Sequence, residues 1–201
     1  MKFQGRLMEN GTIEIIRTAM NLAAEKGWRH ITLYDIAAET RKSPADIIRA
    51  TGGKHGILPH LFEHVNECLA TDTDPDILTV PPRERVFDLM MRRLETLEEF
   101  KPGLKAVFAD LKKDPVDAAG LLPPLGKSMM LMLELAGLSS SHCGKDMIKA
   151  TVLAAIHLKV MHVWAEDDSP DNAHTMAELD RHLGKLESFV GKFTKRKKWG
   201  D

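Results

Sequence analysis

The 201-residue sequence predicts an all-α protein, and three observations carry that expectation. Apolar residues recur at three- and four-residue steps along most of the chain, the period of an amphipathic helix. No segment shows the apolar–polar alternation of a half-buried strand. Small capping residues, glycines and prolines punctuate the periodic segments, most densely between residues 12 and 58.

Thr12 is placed to cap the first helix, whose face is Ile13, Ile16, Met20, Ala23 and Ala24. Gly27 ends it as a left-handed cap would, and Trp28 is expected to pack back on the core. Thr32 and Asp35 form a capping pair for a second helix buried through Leu33, Ile36 and Ala37. Ser43 and Asp46 repeat the device for a third, with Pro44 in its first position and Ile47 and Ile48 as its apolar residues. Only Arg41 and Lys42 link the second and third helices, so the two must meet sharply. This is the order of a helix-turn-helix, a motif that lays one short helix in a DNA groove.

Six further helices are expected. The fourth covers Lys54 to Leu69 and the fifth Pro82 to Glu98, separated by the turn-rich stretch at 71–76. Pro102 opens the sixth, which ends near Lys113. A turn at 115–122 leads through Pro123-Pro124 into the seventh, which stops at Gly137. The eighth spans Lys145 to Asp167 and the ninth Asn172 to Phe193. The divisions expected are 1–58, the helix-turn-helix; 59–193, a helical ligand-binding and dimerisation domain; and 194–201, a basic tail.

Residues 12–58 resemble the DNA-binding domain of the tetracycline-repressor (TetR) family of transcriptional regulators. The resemblance rests on Ala24-Glu25-Lys26-Gly27-Trp28, Thr32, Asp35-Ile36-Ala37, Ser43, Arg49 and Lys54, each at the family's spacing. The pattern departs at four places. Arg41 stands for the turn glycine, Lys42 for an apolar residue, and Ile48 and Thr51 for the aromatics that close the recognition helix. The resemblance implies a TetR-like, homeodomain-like N-terminal module and a dimeric, ligand-responsive regulator. The expected DNA contacts are Thr32, Arg41, Lys42, Ser43, Arg49 and Lys54, with Arg49 reading a base because arginine recognises guanine well.

The C-terminal half is also similar to the coenzyme Q (ubiquinone) biosynthesis accessory family, lipid-binding proteins with the same type of fold. The matching residues are Val152-Leu153-Ala154, Asp168-Ser169-Pro170-Asp171, Thr175, and Leu179-Asp180-Arg181 with Leu183. That resemblance implies a lipid-binding alternative in which the helix-turn-helix is a relic.

With 28 basic and 29 acidic residues, the net charge of −1 gives no general attraction to nucleic acid. The first 55 residues hold nine Lys or Arg against six Asp or Glu, a footprint suited to a few phosphate contacts. Two cysteines offer no disulfide framework, and neither a signal core nor an uncharged membrane-length stretch stands out, so a cytoplasmic location is expected.

Methionines crowd the middle of the chain. Met129, Met132 and Met161, with His157 and Trp164, read either as ordinary core or as the lining of a cavity for an apolar small molecule or lipid. In the ninth helix Met176, Leu179, Leu183, Leu186 and Val190 form a narrow seam, read either as packing on its own domain or as a homodimer interface in which the eighth and ninth helices pair with their copies. Lys192 and Lys195 to Lys198, beside Phe193 and Trp199, suit an anionic membrane surface or DNA phosphates.

Catalytic patterns are weak, and neither an enzyme nor a cofactor is expected. His60, Glu63 and His64 match the H-x-x-E-H motif of zinc peptidases over five residues, without a downstream acidic ligand, so no metal is expected. His142-Cys143 are sequence neighbours without an orienting acid, and Gly52-Gly53-Lys54 lacks the strand that a phosphate loop follows.

Overall fold

The computed structural model describes residues 10–140 and 143–197. Among these there is no strand, and ten α-helices follow one another: α1 (Asn10–Lys26), α2 (Leu33–Thr40), α3 (Pro44–Thr51), α4 (Lys54–Asp72), α5 (Pro82–Leu97), α6 (Lys101–Leu111), α7 (Pro115–Gly120), α8 (Leu122–Leu135), α9 (Cys143–Trp164) and α10 (Ala173–Lys197).

α1 buries Ile15, Ile16, Ala19, Met20 and Ala23. Thr12 is not its cap, because the chain is already helical at Asn10. Gly27 ends the helix at a φ of 84°, a region open to glycine, and Trp28 folds back as a buried residue. α1 packs across α6 at Gly103, where a Cβ would lie 2.4 Å from the Met20 carbonyl oxygen. Only a residue without a side chain allows that approach.

α4 runs unbroken through the expected boundary at 58/59, with Ile57, Leu58, Leu61, Val65 and Leu69 buried along it. One continuous apolar core extends from Ile15 on α1 to Leu183 on α10. The expected turn at 115–122 contains a real helix, α7, begun by Asp114, whose carboxylate accepts from the Asp117 N–H. Periodicity could not show it, since none of its six residues is buried.

α9 is long and apolar enough, by length and composition alone, to match a bilayer-crossing helix. Here it packs against α8 and α10, with Val160 and Trp164 fully buried. The turn from α9 to α10 is built on Asp167, which accepts hydrogen bonds from the Ser169 hydroxyl at 2.6 Å, the Thr175 hydroxyl at 2.7 Å and the Thr175 N–H at 2.8 Å. Burial alone would raise its pKa, but these bonds outweigh burial and hold the carboxyl well below the usual range.

The α10 seam turns inward. Leu179 and Leu183 are buried, Met176 and Leu186 half-buried, and the helix packs on α9 and α5 of its own chain. Arg83 of α5 reinforces that packing through a 2.6 Å ion pair with Asp180. The side chains of Val190 and the basic tail lie outside the described residues.

Candidate nucleic-acid interface and ligand cleft

Both short helices of the helix-turn-helix are started by a reciprocal pair. The Thr32 hydroxyl accepts from the Asp35 N–H, while Asp35 accepts from the Thr32 N–H at 2.8 Å. Ser43 and Asp46 do the same for α3. The Thr32 bonds, with a smaller contribution from Lys26, hold the Asp35 carboxyl at a pKa of about 2. Those from Ser43 lower Asp46 in the same way. Thr32 and Ser43 therefore serve as helix caps, with their backbones at the exposed edge.

The turn keeps a glycine-like conformation without a glycine. Arg41 takes a φ of 55°, and its N–H donates to the Ala37 carbonyl. Non-glycine residues enter this region at a cost. Its side chain projects into solvent. Lys42 instead ties the turn to α1 through a 2.8 Å ion pair with Glu14. Thr51 occupies its buried position with a hydroxyl that donates to the Ile47 and Gly53 carbonyls.

Along α3, Ile47 and Thr51 face the core, and Ala45, Ile48, Arg49 and Gly52 are exposed. Their spacing puts the exposed set on one face, the side available to a groove. Ile48, an apolar residue standing where the family has an aromatic, is half exposed there. Arg49 pairs only with Asp46, at 3.0 Å on the surface, a bond of little strength in water. Lys54 is less available than expected. Its ammonium donates to the Ile31 carbonyl at 2.8 Å and lies 5.1 Å from the centre of the Trp28 ring. Burial lowers its pKa. Tyr34 escaped the sequence reading: on α2 it is 76% exposed, an aromatic with no core to fill.

A cleft of about 380 Å³ opens in the C-terminal part, between α4, α6, α7, α8 and α9. Leu58, Phe62, Leu104, Val107, Leu125 and Met161 line it, with Lys112 and His162 as its cationic or titratable members. Of the five residues expected to line a cavity, only Met161 does. Met129 and Met132 are fully buried packing on the inner face of α8. Trp164 is buried too, donating from Nε1 to Glu98 at 2.9 Å. His157 lies deep in the core, where Arg93 Nε donates to its Nε2 at 3.4 Å. Helical period alone cannot tell an inner wall from a cleft wall.

Arg93 is the residue that sequence reasoning missed. It is fully buried, it donates from Nη1 to Asn66 at 3.0 Å, and its guanidinium lies 5.7 Å from the centre of the Phe62 ring. Burial lowers its pKa to about 10. Burial and the Arg93 charge together push His157 well below the usual histidine value, so its ring is neutral near pH 7. In sequence Arg93 is one of the pair Arg92-Arg93 on a polar helix, with no signal for which arginine turns inward.

The short catalytic patterns do not assemble. His60 bonds to the Gly56 carbonyl at 2.7 Å, Glu63 is exposed, and His64 sits 3.8 Å from Cys68. Among the described residues no three His, Cys, Asp or Glu side chains are grouped to hold a metal. His142 and the side chain of Cys143 lie outside the described residues.

No family model matches the sequence, and no curated protein does. Solved structures match over nearly the whole chain. A TetR transcriptional regulator from Nitrosomonas europaea ATCC 19718 superposes with a TM-score of 0.68 at 22% identity, over 88% of this chain and 98% of that one. Another from Rhodococcus sp. RHA1 gives 0.58 at 14% identity, over 88% and 94%. A TetR-family regulator from Streptomyces coelicolor gives 0.53 at 13%, over 92% and 87%. The chain has the all-α TetR fold.

Proposed function

We propose that this TetR-fold chain is a DNA-binding transcriptional regulator, active as a homodimer and responsive to an apolar small molecule. The observation that carries the reading is the exposed face of α3, which a doubly capped turn holds rigid at the surface. A second helix of this kind lies in the major groove with its N-terminal part toward the base edges. Arg49 is the base-reading candidate. Arg41 and Tyr34 supply phosphate or sugar contacts, while Lys42 and Lys54 act mainly by holding the module together.

The cleft couples to that module through α6. One side of α6 carries Leu104, Val107 and Leu111 into the cleft. The other meets α1 at Gly103, and Asp110 accepts from the Arg29 N–H at 3.0 Å. A ligand that spreads the cleft would shift α6 and tilt the helix-turn-helix, by no more than its difference in affinity for the two arrangements allows.

Of the two helices expected to pair with a second copy, α9 is assigned the dimer contact, since the α10 seam packs on its own chain. Ile148, Thr151, Ala155 and Leu158 lie exposed at three- and four-residue steps along it. Such a stripe suits an isologous contact with a second copy. Ile148→Asp is expected to convert the dimer to a monomer in sedimentation velocity.

Of the residues behind the coenzyme Q resemblance, Val152 to Ala154 lie on α9, Asp168 to Asp171 in the α9–α10 turn, and Thr175 and Leu179 to Leu183 on α10. A structural role of that kind favours neither function, so the lipid-binding accessory reading gains nothing from it.

The test is titration onto the chain's own upstream DNA by fluorescence anisotropy, beside a scrambled duplex, at several salt concentrations. A preference for the native duplex that persists at physiological salt is expected. The double variant Arg41→Ala, Arg49→Ala should abolish it, and unchanged affinity in that variant would sink the proposed contacts.

A further inference from the structure

The centre of the C-terminal part holds an electrostatic arrangement that the fold alone does not require. Arg93 is fully buried, and among the described residues no carboxylate is set against it; burial is what lowers its pKa. A buried cation without a counter-charge is strongly unfavourable. Its Nε and Nη1 are used by His157 and Asn66, but Nη2 meets no hydrogen-bond partner. His157 accepts from Arg93 at Nε2, so the ring proton sits on Nδ1, and that atom is also buried without a partner. Two buried donors on adjoining side chains therefore lack an acceptor.

Phe62 connects this centre to the cleft. It lines the cleft, and its ring also lies against the Arg93 guanidinium. The remaining lining is dominated by leucine, valine and phenylalanine. A cleft with apolar walls, separated by the Phe62 ring from a buried, unmatched cation, is complementary to one class of molecule.

We propose that the cleft binds an amphipathic anion, an apolar chain bearing a carboxylate-type head, with Arg93 and His157 receiving the head once Phe62 swings aside. The head supplies the acceptor that both unmet donors lack and neutralises the guanidinium in a medium where charge pairing is strong. A neutral head supplies no counter-charge, and a cationic head adds repulsion. The proposal rests on the reading of the cleft as a ligand site and is independent of DNA binding.

Decanoate, decanol and decylamine share one tail and differ only in the head. Calorimetric titration of the full chain at pH 7.5, without DNA, is expected to give decanoate at least about tenfold tighter binding than decanol, with decylamine weakest. In Arg93→Met, decanoate should fall to the decanol level while decanol changes by less than about threefold. Arg93→Lys, which keeps the charge should the methionine variant not fold, should weaken decanoate and spare decanol. Phe62→Ala removes the gate and should speed decanoate association. Lys112 at the cleft is the rival anchor, so Lys112→Gln should leave the head preference intact. Equal affinity for decanoate and decanol in the unaltered chain overturns the proposal. So does a decanoate preference that survives Arg93→Met, that is undiminished in Arg93→Lys, or that disappears in Lys112→Gln. Failure of all three probes to bind would overturn the cleft reading as well, and the DNA titration would stand apart from both results.

Discussion

The α2–α3 turn and the centre around Arg93 treat their polar groups in opposite ways. In the turn, Thr32, Ser43, Asp35 and Asp46 bond to one another within four residues, and the region lies at the surface. Around Arg93, two donors are buried without acceptors, and their nearest partners come from α4 and α9, 27 and 64 residues away in sequence. Matched polar groups make a rigid element that presents a face. Unmatched ones mark the place proposed above to receive a ligand. The contrast separates the face proposed to read DNA from the centre proposed to bind.

Gly103→Val attacks the joint between the two regions. A branched side chain cannot fit against the Met20 backbone, so α6 must leave α1. A loss of about 3 kcal/mol is expected in urea denaturation.

The next two variants delete polar groups and should act with opposite signs. Ser43→Ala removes a matched cap and should cost about 1 kcal/mol. Arg93→Met removes an unmatched buried charge and should stabilise the free chain by about 1 kcal/mol. Two losses of similar size by thermal denaturation would break the comparison.

Arg41→Gly should stabilise by about 0.5 kcal/mol, because glycine adopts the left-handed turn freely. The same change removes a proposed DNA contact, so a rise in melting temperature together with weaker DNA binding is the expected pair of results.

The smallest effect is a dependence on acid. The Asp35 carboxyl is held at about 2, below the usual aspartate value of 3.8. A depressed carboxyl contributes stability that is complete above the unfolded value and is lost as pH falls through the folded one. In Thr32→Ala the acid transition, followed by circular dichroism, should therefore begin at higher pH. An unmoved transition would deny Asp35 any part in it.

The three N-terminal helices were readable with some precision because their signals are local. The caps at Thr32 and Ser43, the stop at Gly27 and the inward Trp28 all depend on neighbours within a few residues. The candidate interface was readable only in part. Lys42 and Lys54 look like free cations in the sequence, yet one is paired with Glu14 and the other bound to the Ile31 carbonyl. Those partners lie more than 20 residues away, beyond any local pattern. Met129 and Met132 have the right chemistry for a cavity wall, but whether they face the cleft or the core depends on the rotation of α8 against its neighbours.

The sequence by itself determined that the chain is helical, where its first helix stops and its second and third start, and that a capped helix-turn-helix precedes a longer helical part. Capping geometry and helical period are properties of contiguous backbone, so contiguous residues encode them. Only the tertiary structure decided that the α10 seam turns into its own core, that Met161 alone of the expected lining reaches the cleft, and that Arg93 is buried where Arg92 is not. Those outcomes follow from how helices far apart in sequence rotate and pack against one another. Burial of a given side chain is a property of that packing and not of the side chain.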